Sequence, residues 1–125
     1  MDKLRIKFAT RKTIKDKKIV SAIEYSAKEG TPRAESQAIR ARVPNVFWSF
    51  QQAWNSVFKE GIVDHSLKEL CRVYVSKSVD CTYCGNQRSS LASESGLLEK
   101  DYMEILNFEK AAIYSEKSKA ALALT

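Results

Sequence analysis

From Asp16 the apolar residues Ile19, Val20, Ile23 and Ala27 recur at helical spacing, and Gly30 followed by Pro32 supplies a stop, which predicts a first helix. Pro44 suits the first turn of a second helix, in which Phe47, Phe50, Trp54, Val57 and Phe58 share one face until Gly61. An aromatic stripe at this spacing usually packs a core, and it is read so here; a pocket wall for an apolar substrate is the alternative. Asp64 then caps a third helix, with Leu67, Leu70, Cys71 and Tyr74 on its buried side and Glu69 flanking it. After the break at Ser78-Val79-Asp80, with Asp80 as N-cap, a fourth helix is expected to run to Gly96. Leu98 to Leu106 predicts a fifth, and Phe108 to Thr125 is helical in composition, with Ser115 as a cap between two pieces. Residues 31–42 are polar and Arg-rich, without a sustained stripe, and read as a connector. In residues 1–13 only the alternation of Leu4, Ile6 and Phe8 stands out, suiting a short strand or an extended arm. No other stretch reads as a strand, so the expected fold is all-α, one helical bundle of about six helices.

The 125 residues suffice for one modest core, and no apolar run approaches the roughly 20 residues of a membrane span. The N-terminus, Met-Asp-Lys-Leu-Arg-Ile-Lys-Phe, alternates charged and apolar residues and builds no signal-peptide core, so a cytoplasmic, reducing compartment is expected. The net charge of +6 invites a nucleic-acid reading. The charge is unevenly placed, however: residues 1–42 hold 12 Lys+Arg against 5 Asp+Glu (+7), and residues 43–125 hold 9 against 10 (−1). Lys12, Lys15, Lys17 and Lys18 lack an accompanying nucleic-acid motif and read as a solvated helix face. The chain therefore divides into a basic N-terminal arm and first helix over 1–42 and a nearly neutral helical core over 43–125.

The chemistry is concentrated in Asp80-Cys81-Thr82-Tyr83-Cys84. Two thiols with two residues between them serve redox cycling, half of a zinc site or a structural disulfide. On a helix this spacing puts both sulfurs on one face, close enough to oxidise with little backbone movement, and the unpaired N–H groups at the helix start favour a thiolate. A zinc module needs four ligands, and only Cys71 and His65 remain, without finger-like spacing. Cys71 is most simply a small buried hydrophobe. A thioredoxin-type setting needs a strand before Cys81, and Val73 to Val75 fits the third helix better. No metal and no cofactor are called for, and the reading is redox.

Gly61-Ile62-Val63-Asp64, Leu67-Lys68-Glu69-Leu70, Val75-Ser76, Cys81-Thr82-Tyr83-Cys84 and Gly96-Leu97 together resemble the carboxymuconolactone decarboxylase superfamily, in its alkylhydroperoxidase D-like branch, over residues 43–125. The resemblance implies an all-helical fold assembled as trimers or hexamers, a peroxide or disulfide substrate and an external thiol reductant. It implies Cys84 as nucleophile, Cys81 as the thiol that resolves it, and Glu69, twelve residues before Cys81, in a proton relay. The chain departs from the family where a His is expected four residues after the second Cys and Arg88 stands instead. One helical turn from Cys84, Arg88 would stabilise a thiolate without shuttling protons; its alternative is a partner for a nearby carboxylate, such as Glu69. The residue before Cys84, a His in alkylhydroperoxidase D, is Tyr83 here, and His65 has no motif match to the site. Ser118 to Thr125 resembles the middle of a family helix, so neighbouring subunits or further chain are expected to cover the surface there. Beside the redox reading stand a decarboxylase acting on a lactone acid, which does not need the cysteine pair, and a non-catalytic oligomeric binding protein.

Overall fold

The computed structural model of the chain describes residues 5–125, so Leu4 of the alternating run lies outside the described residues. Arg5 to Thr13 is an arm, not a strand. Ala9 N–H donates to Ala38 O at 3.0 Å and Arg42 Nη1 to Lys7 O at 3.1 Å, which ties the arm to the segment read as a connector. All regular structure among the described residues is helical.

Helix α1 (Lys17–Glu29) starts where the Asp16 carboxylate accepts from Lys18 N and ends at Gly30, in the left-handed region with φ 77°. A Cβ on Gly30 would overlap the carbonyl oxygen of Arg88, so α1 ends pressed against the backbone that follows the cysteine pair. The stretch read as a connector contains a helix, α2 (Ala34–Arg40). Its Ala, Glu, Gln and Arg residues are good helix formers. It shows no apolar stripe because its fully buried residue is Gln37, whose Nε2 donates to Gln51 Oε1 at 2.7 Å. Helix α3 (Pro44–Ala53) has Pro44 in its first turn and passes into a π-helical stretch, Trp54–Lys59. Of its aromatic face only Phe47 is fully buried. Phe50, Trp54 and Phe58 stack in sequence, half-buried, at centroid distances of 5.6 and 4.4 Å, while Val57 is 72% exposed. The i→i+5 turn changes the angular step per residue, and Val57 leaves the face.

Helix α4 (His65–Ser78) is the central element, with Leu67, Leu70 and Val73 buried. Leu70 and Val73 meet Tyr102, Ile105, Phe108 and Leu122 in the main core, and Cys71 packs at its edge as a small hydrophobe. Asp64 makes no side-chain cap bond and pairs with Lys117 at 3.0 Å. The expected fourth helix is two short ones, α5 (Thr82–Gly85) and α6 (Ser90–Glu94). A continuous helix would use Cys84 O as an acceptor for Arg88 N; here Arg72 Nη1 of α4 donates to that carbonyl at 2.8 Å. Asp80 is not the cap either. It adopts φ 54°, and Cys81 takes the N-cap position. Helix α7 (Lys100–Met103), a 3₁₀ turn (Ile105–Asn107) and α8 (Glu116–Leu124) complete the bundle, with the Ser115 hydroxyl accepting from Ser118 N as expected for a cap.

Substituting Gly30→Ala forces a left-handed conformation on a residue with a Cβ and drives that atom into Arg88 O. It should destabilise the protein by roughly 2–4 kcal/mol in urea unfolding, whereas Gly96→Ala, at φ 97° but with open space around it, should cost no more than about 1–2 kcal/mol.

Candidate active site

Cys81 and Cys84 come within 2.7 Å of each other, and neither is in a disulfide. Because α5 is only four residues long, little helix dipole is available. Local hydrogen bonds differentiate the two sulfurs instead. The neighbouring Cys84 side chain, the Cys84 backbone N–H, which donates to Cys81 Sγ at 3.3 Å, and the Tyr83 backbone N–H lower the Cys81 pKa below its ordinary value. The Cys81 sulfur pushes Cys84 up, reinforced by burial; Arg72 and Arg33 pull it the other way. The acidified sulfur is thus Cys81, the thiol at the helix start, whereas a cation at Arg88 one helical turn from Cys84 was expected to lower the pKa of Cys84.

The turn that holds the pair is clamped from α4. Glu69 is fully buried and receives Arg72 bidentately, Nε to Oε2 at 2.7 Å and Nη2 to Oε1 at 2.9 Å. Arg72 continues to Cys84 O at 2.8 Å through Nη1 and to Gln87 O at 2.9 Å through Nη2, and Ser89 N donates to Glu69 Oε1 at 3.0 Å. Both oxygens of Glu69 are therefore engaged, and among the described residues neither thiol hydrogen-bonds to it. Arg72 is the cation beside Cys84 that sequence reasoning missed. Its signal was present, since Glu69 and Arg72 have the i, i+3 spacing of a helical ion pair.

Arg88 does not stand one turn from Cys84, because α5 ends at Gly85. Its guanidinium pairs with Glu99 at 2.7 and 2.9 Å, lies over the Tyr102 ring at 4.1 Å and donates to Gly85 O and Gln87 O, both at 2.7 Å. The carboxylate it meets is Glu99 and not Glu69. The Glu99 pair raises the Arg88 pKa further, so Arg88 keeps its charge. His65 is nearby but built in as an anchor. Its Nδ1 faces Phe58 O at 3.1 Å, so that nitrogen carries the proton, leaving Nε2 to accept from Ser89 Oγ at 2.7 Å. Only the backbone N–H of Ser89 reaches Glu69, and a backbone amide does not pass a proton on.

Cys84 lines a pocket of about 270 Å³, with Phe50 and Trp54 from the aromatic face, Tyr83, and three arginines, Arg33, Arg40 and Arg72. Part of the aromatic stripe thus lines a pocket, one that three arginines make cationic. Tyr83 bonds Ser36 Oγ at 2.8 Å and lies under Arg33 at 4.6 Å, joining the cysteine turn to α2. Burial raises the Tyr83 pKa, which keeps the phenol protonated. Cys81 opens on a separate cleft, beside Lys77, Asn86 and Leu106.

A model of the carboxymuconolactone decarboxylase family matches residues 44–125, which is 82 of the chain's 125 residues. The match includes Glu69, Arg72, both cysteines and Arg88, and it excludes Arg33, Ser36 and Arg40. No curated protein and no solved structure matches the chain.

Since the Cys84 side chain acidifies Cys81, iodoacetamide followed by residue-resolved mass spectrometry from about pH 5 to 10 should label Cys81 at lower pH than Cys84. Cys84→Ala should move the Cys81 midpoint upward; an unmoved midpoint would show that the thiol contact is not what acidifies Cys81. The clamp makes a second prediction. Glu69→Gln leaves the Arg72 charge buried without its partner and should cost about 3–5 kcal/mol in urea unfolding, and a Glu69→Leu/Arg72→Met double variant should recover much of the loss.

Proposed function

We propose that this chain, which belongs to the carboxymuconolactone decarboxylase family, is a thiol–disulfide oxidoreductase of the alkylhydroperoxidase D-like kind, reducing an organic disulfide or hydroperoxide with its Cys81–Cys84 dithiol. The observation that carries the reading is the approach of the two cysteines to within 2.7 Å, one lining a pocket and the other opening on a separate cleft.

In the reduced protein the dithiol loses one proton and the other is held between the sulfurs. As Cys84 attacks, its proton passes to Cys81, so Cys84 acts as nucleophile although the resting negative charge is centred on Cys81. With a disulfide, the new bond is Cys84–S–S–R and the second half leaves as a thiolate, which takes the proton from Cys81. The Cys81 thiolate then attacks the Cys84 sulfur, closing the intramolecular disulfide and releasing the first half as a thiolate. With a hydroperoxide, the O–O bond breaks, Cys84 becomes a sulfenic acid, the alkoxide takes the Cys81 proton, and closure of the disulfide expels hydroxide. An external thiol resets the site by attack on Cys81 from its own cleft. A second thiol then frees the mixed disulfide, so two thiols are oxidised to one disulfide per turnover.

The remaining residues position this pair. Glu69 and Arg72 fix the turn, Arg72 adds positive charge near Cys84, and Arg88 holds the carbonyls of Gly85 and Gln87. Without a His in the relay position, the Cys81–Cys84 contact handles the proton. The reading includes a homo-oligomer, supported by exposed apolar Val57, Ile62 and Val63 between α3 and α4.

The test is alkylation mass spectrometry after treatment with hydrogen peroxide or an organic disulfide. We expect a Cys81–Cys84 disulfide that dithiothreitol reverses, with Cys71 still a free thiol. In Cys81→Ser, which lacks the resolving thiol, the mixed disulfide should accumulate on Cys84. If it forms only on Cys81 in Cys84→Ser, the roles of the two sulfurs are reversed; if neither cysteine oxidises faster than Cys71, the redox assignment fails.

A further inference from the structure

The three arginines of the Cys84 pocket differ in what neutralises them. Arg72 is taken by Glu69, and Arg33 lies 3.5 Å from Glu35. Arg40 makes no ion pair among the described residues. Its one side-chain hydrogen bond there runs from Nη1 to Gln37 Oε1 at 3.0 Å, and its guanidinium lies 3.6 Å from the centre of the Phe50 ring. Burial lowers the Arg40 pKa, the mark of a cation partly removed from water, although the group stays charged at neutral pH.

Arg40 is also held in place. Gln37, fully buried, passes from Arg40 to Gln51 at 2.7 Å, and Gln51 Nε2 donates to Asn55 Oδ1 at 3.1 Å. An amide chain anchored on the buried Gln37 that ends on a guanidinium without an anion, its face against an aromatic ring, is a pre-organised anion site. At about 270 Å³ the space suits a single ring or short chain.

The geometry points to a carboxylate-bearing substrate in the Cys84 pocket: Arg40 holds the carboxylate, Phe50, Trp54 and Tyr83 flank an apolar or aromatic body, and the scissile S–S or O–O bond is presented to Cys84. The inference rests on the redox reading above and adds the class of compound reduced. The specificity cation comes from α2, outside the residues that match the family, so this chain supplies it from its own N-terminal segment.

The experiment uses two matched pairs. The disulfides are dithiobis(nitrobenzoate), which carries carboxylates, and neutral dithiodipyridine; the hydroperoxides are the para-carboxylate of cumene hydroperoxide and cumene hydroperoxide itself. Initial rates are measured for the wild type, Arg40→Gln and Arg40→Lys, and calorimetry follows binding of para-nitrobenzoate, which has the carboxylate but no reducible S–S or O–O bond. Arg40→Gln should raise KM for the carboxylate member about tenfold and change the neutral member less than about twofold, with Arg40→Lys between them. The neutral member also reports whether the variant is folded. The pair that shows this charge dependence identifies the bond, S–S or O–O, that the site reduces. Equal effects on both members, or none, together with para-nitrobenzoate binding that ignores Arg40, would overturn the proposal and leave the redox assignment standing. Arg40-dependent binding of para-nitrobenzoate with no turnover of either pair would uphold the carboxylate site and sink the redox assignment.

Discussion

A carboxylate with no solvent exposure, Glu69, and the arginine one turn later on the same helix set the geometry of the cysteine turn. A buried ion pair adds little stability relative to well-packed apolar residues, because desolvating both charges offsets most of their attraction. What it does supply is direction. A guanidinium has a planar fork of donors, and once Glu69 fixes that plane, the remaining donors of Arg72 point at Cys84 O and Gln87 O. Ser89 N closes the arrangement on the other side of Glu69. Backbone from Cys84 to Ser89 is thereby held against α4 by side chains instead of by helix continuation, which explains why the helix stops at Gly85.

That constraint also explains which parts of the molecule were legible in the sequence. Helices α1 and α4 were readable because apolar spacing and end signals agree with how they pack, and α3 because Pro44 and its aromatic stripe mark it. After Asp80 the pattern reading failed. Residues 82–94 are compatible with one helix by composition, and it is broken by side-chain contacts to its backbone, chiefly from Arg72 and Glu69 of another element. The placement of Arg88 depended on that missing helix. Helix α2 was hidden for a different reason: it buries an amide, Gln37, and periodicity arguments detect only apolar burial. The dithiol was read from its spacing and Glu69 from the resemblance, and Arg72 was overlooked although its spacing to Glu69 was equally plain.

The acidity of the site has a shorter range than a helix-dipole argument supposes. A four-residue helix offers few aligned peptide units, so the preference for a thiolate comes from the neighbouring Cys84 thiol and the backbone N–H groups of Cys84 and Tyr83. This makes the two sulfurs complementary. In the proposed reaction, the Cys84 thiol that stabilises charge on Cys81 is also the group that loses its proton on attack, so charge and proton exchange places within one contact. A Glu–His relay is unnecessary for that exchange, and the structure has directed Glu69 to Arg72 and His65 to Ser89 and Phe58.

The charge imbalance of the chain acquires a location at the same place. Of the twelve basic residues in the N-terminal 42, Arg33 and Arg40 line the pocket of Cys84, and both are on or beside α2. A segment that looked like an appendage to a neutral core is therefore one wall of the cavity. Its joints to the core are specific: Tyr83 OH to Ser36, Arg33 over the Tyr83 ring, and Gln37 to Gln51. Tyr83 belongs to the dithiol turn itself. Any displacement of α2 must therefore either break the Ser36 bond or carry the turn with it, so the α2 wall of the pocket and the Cys84 turn are mechanically one unit.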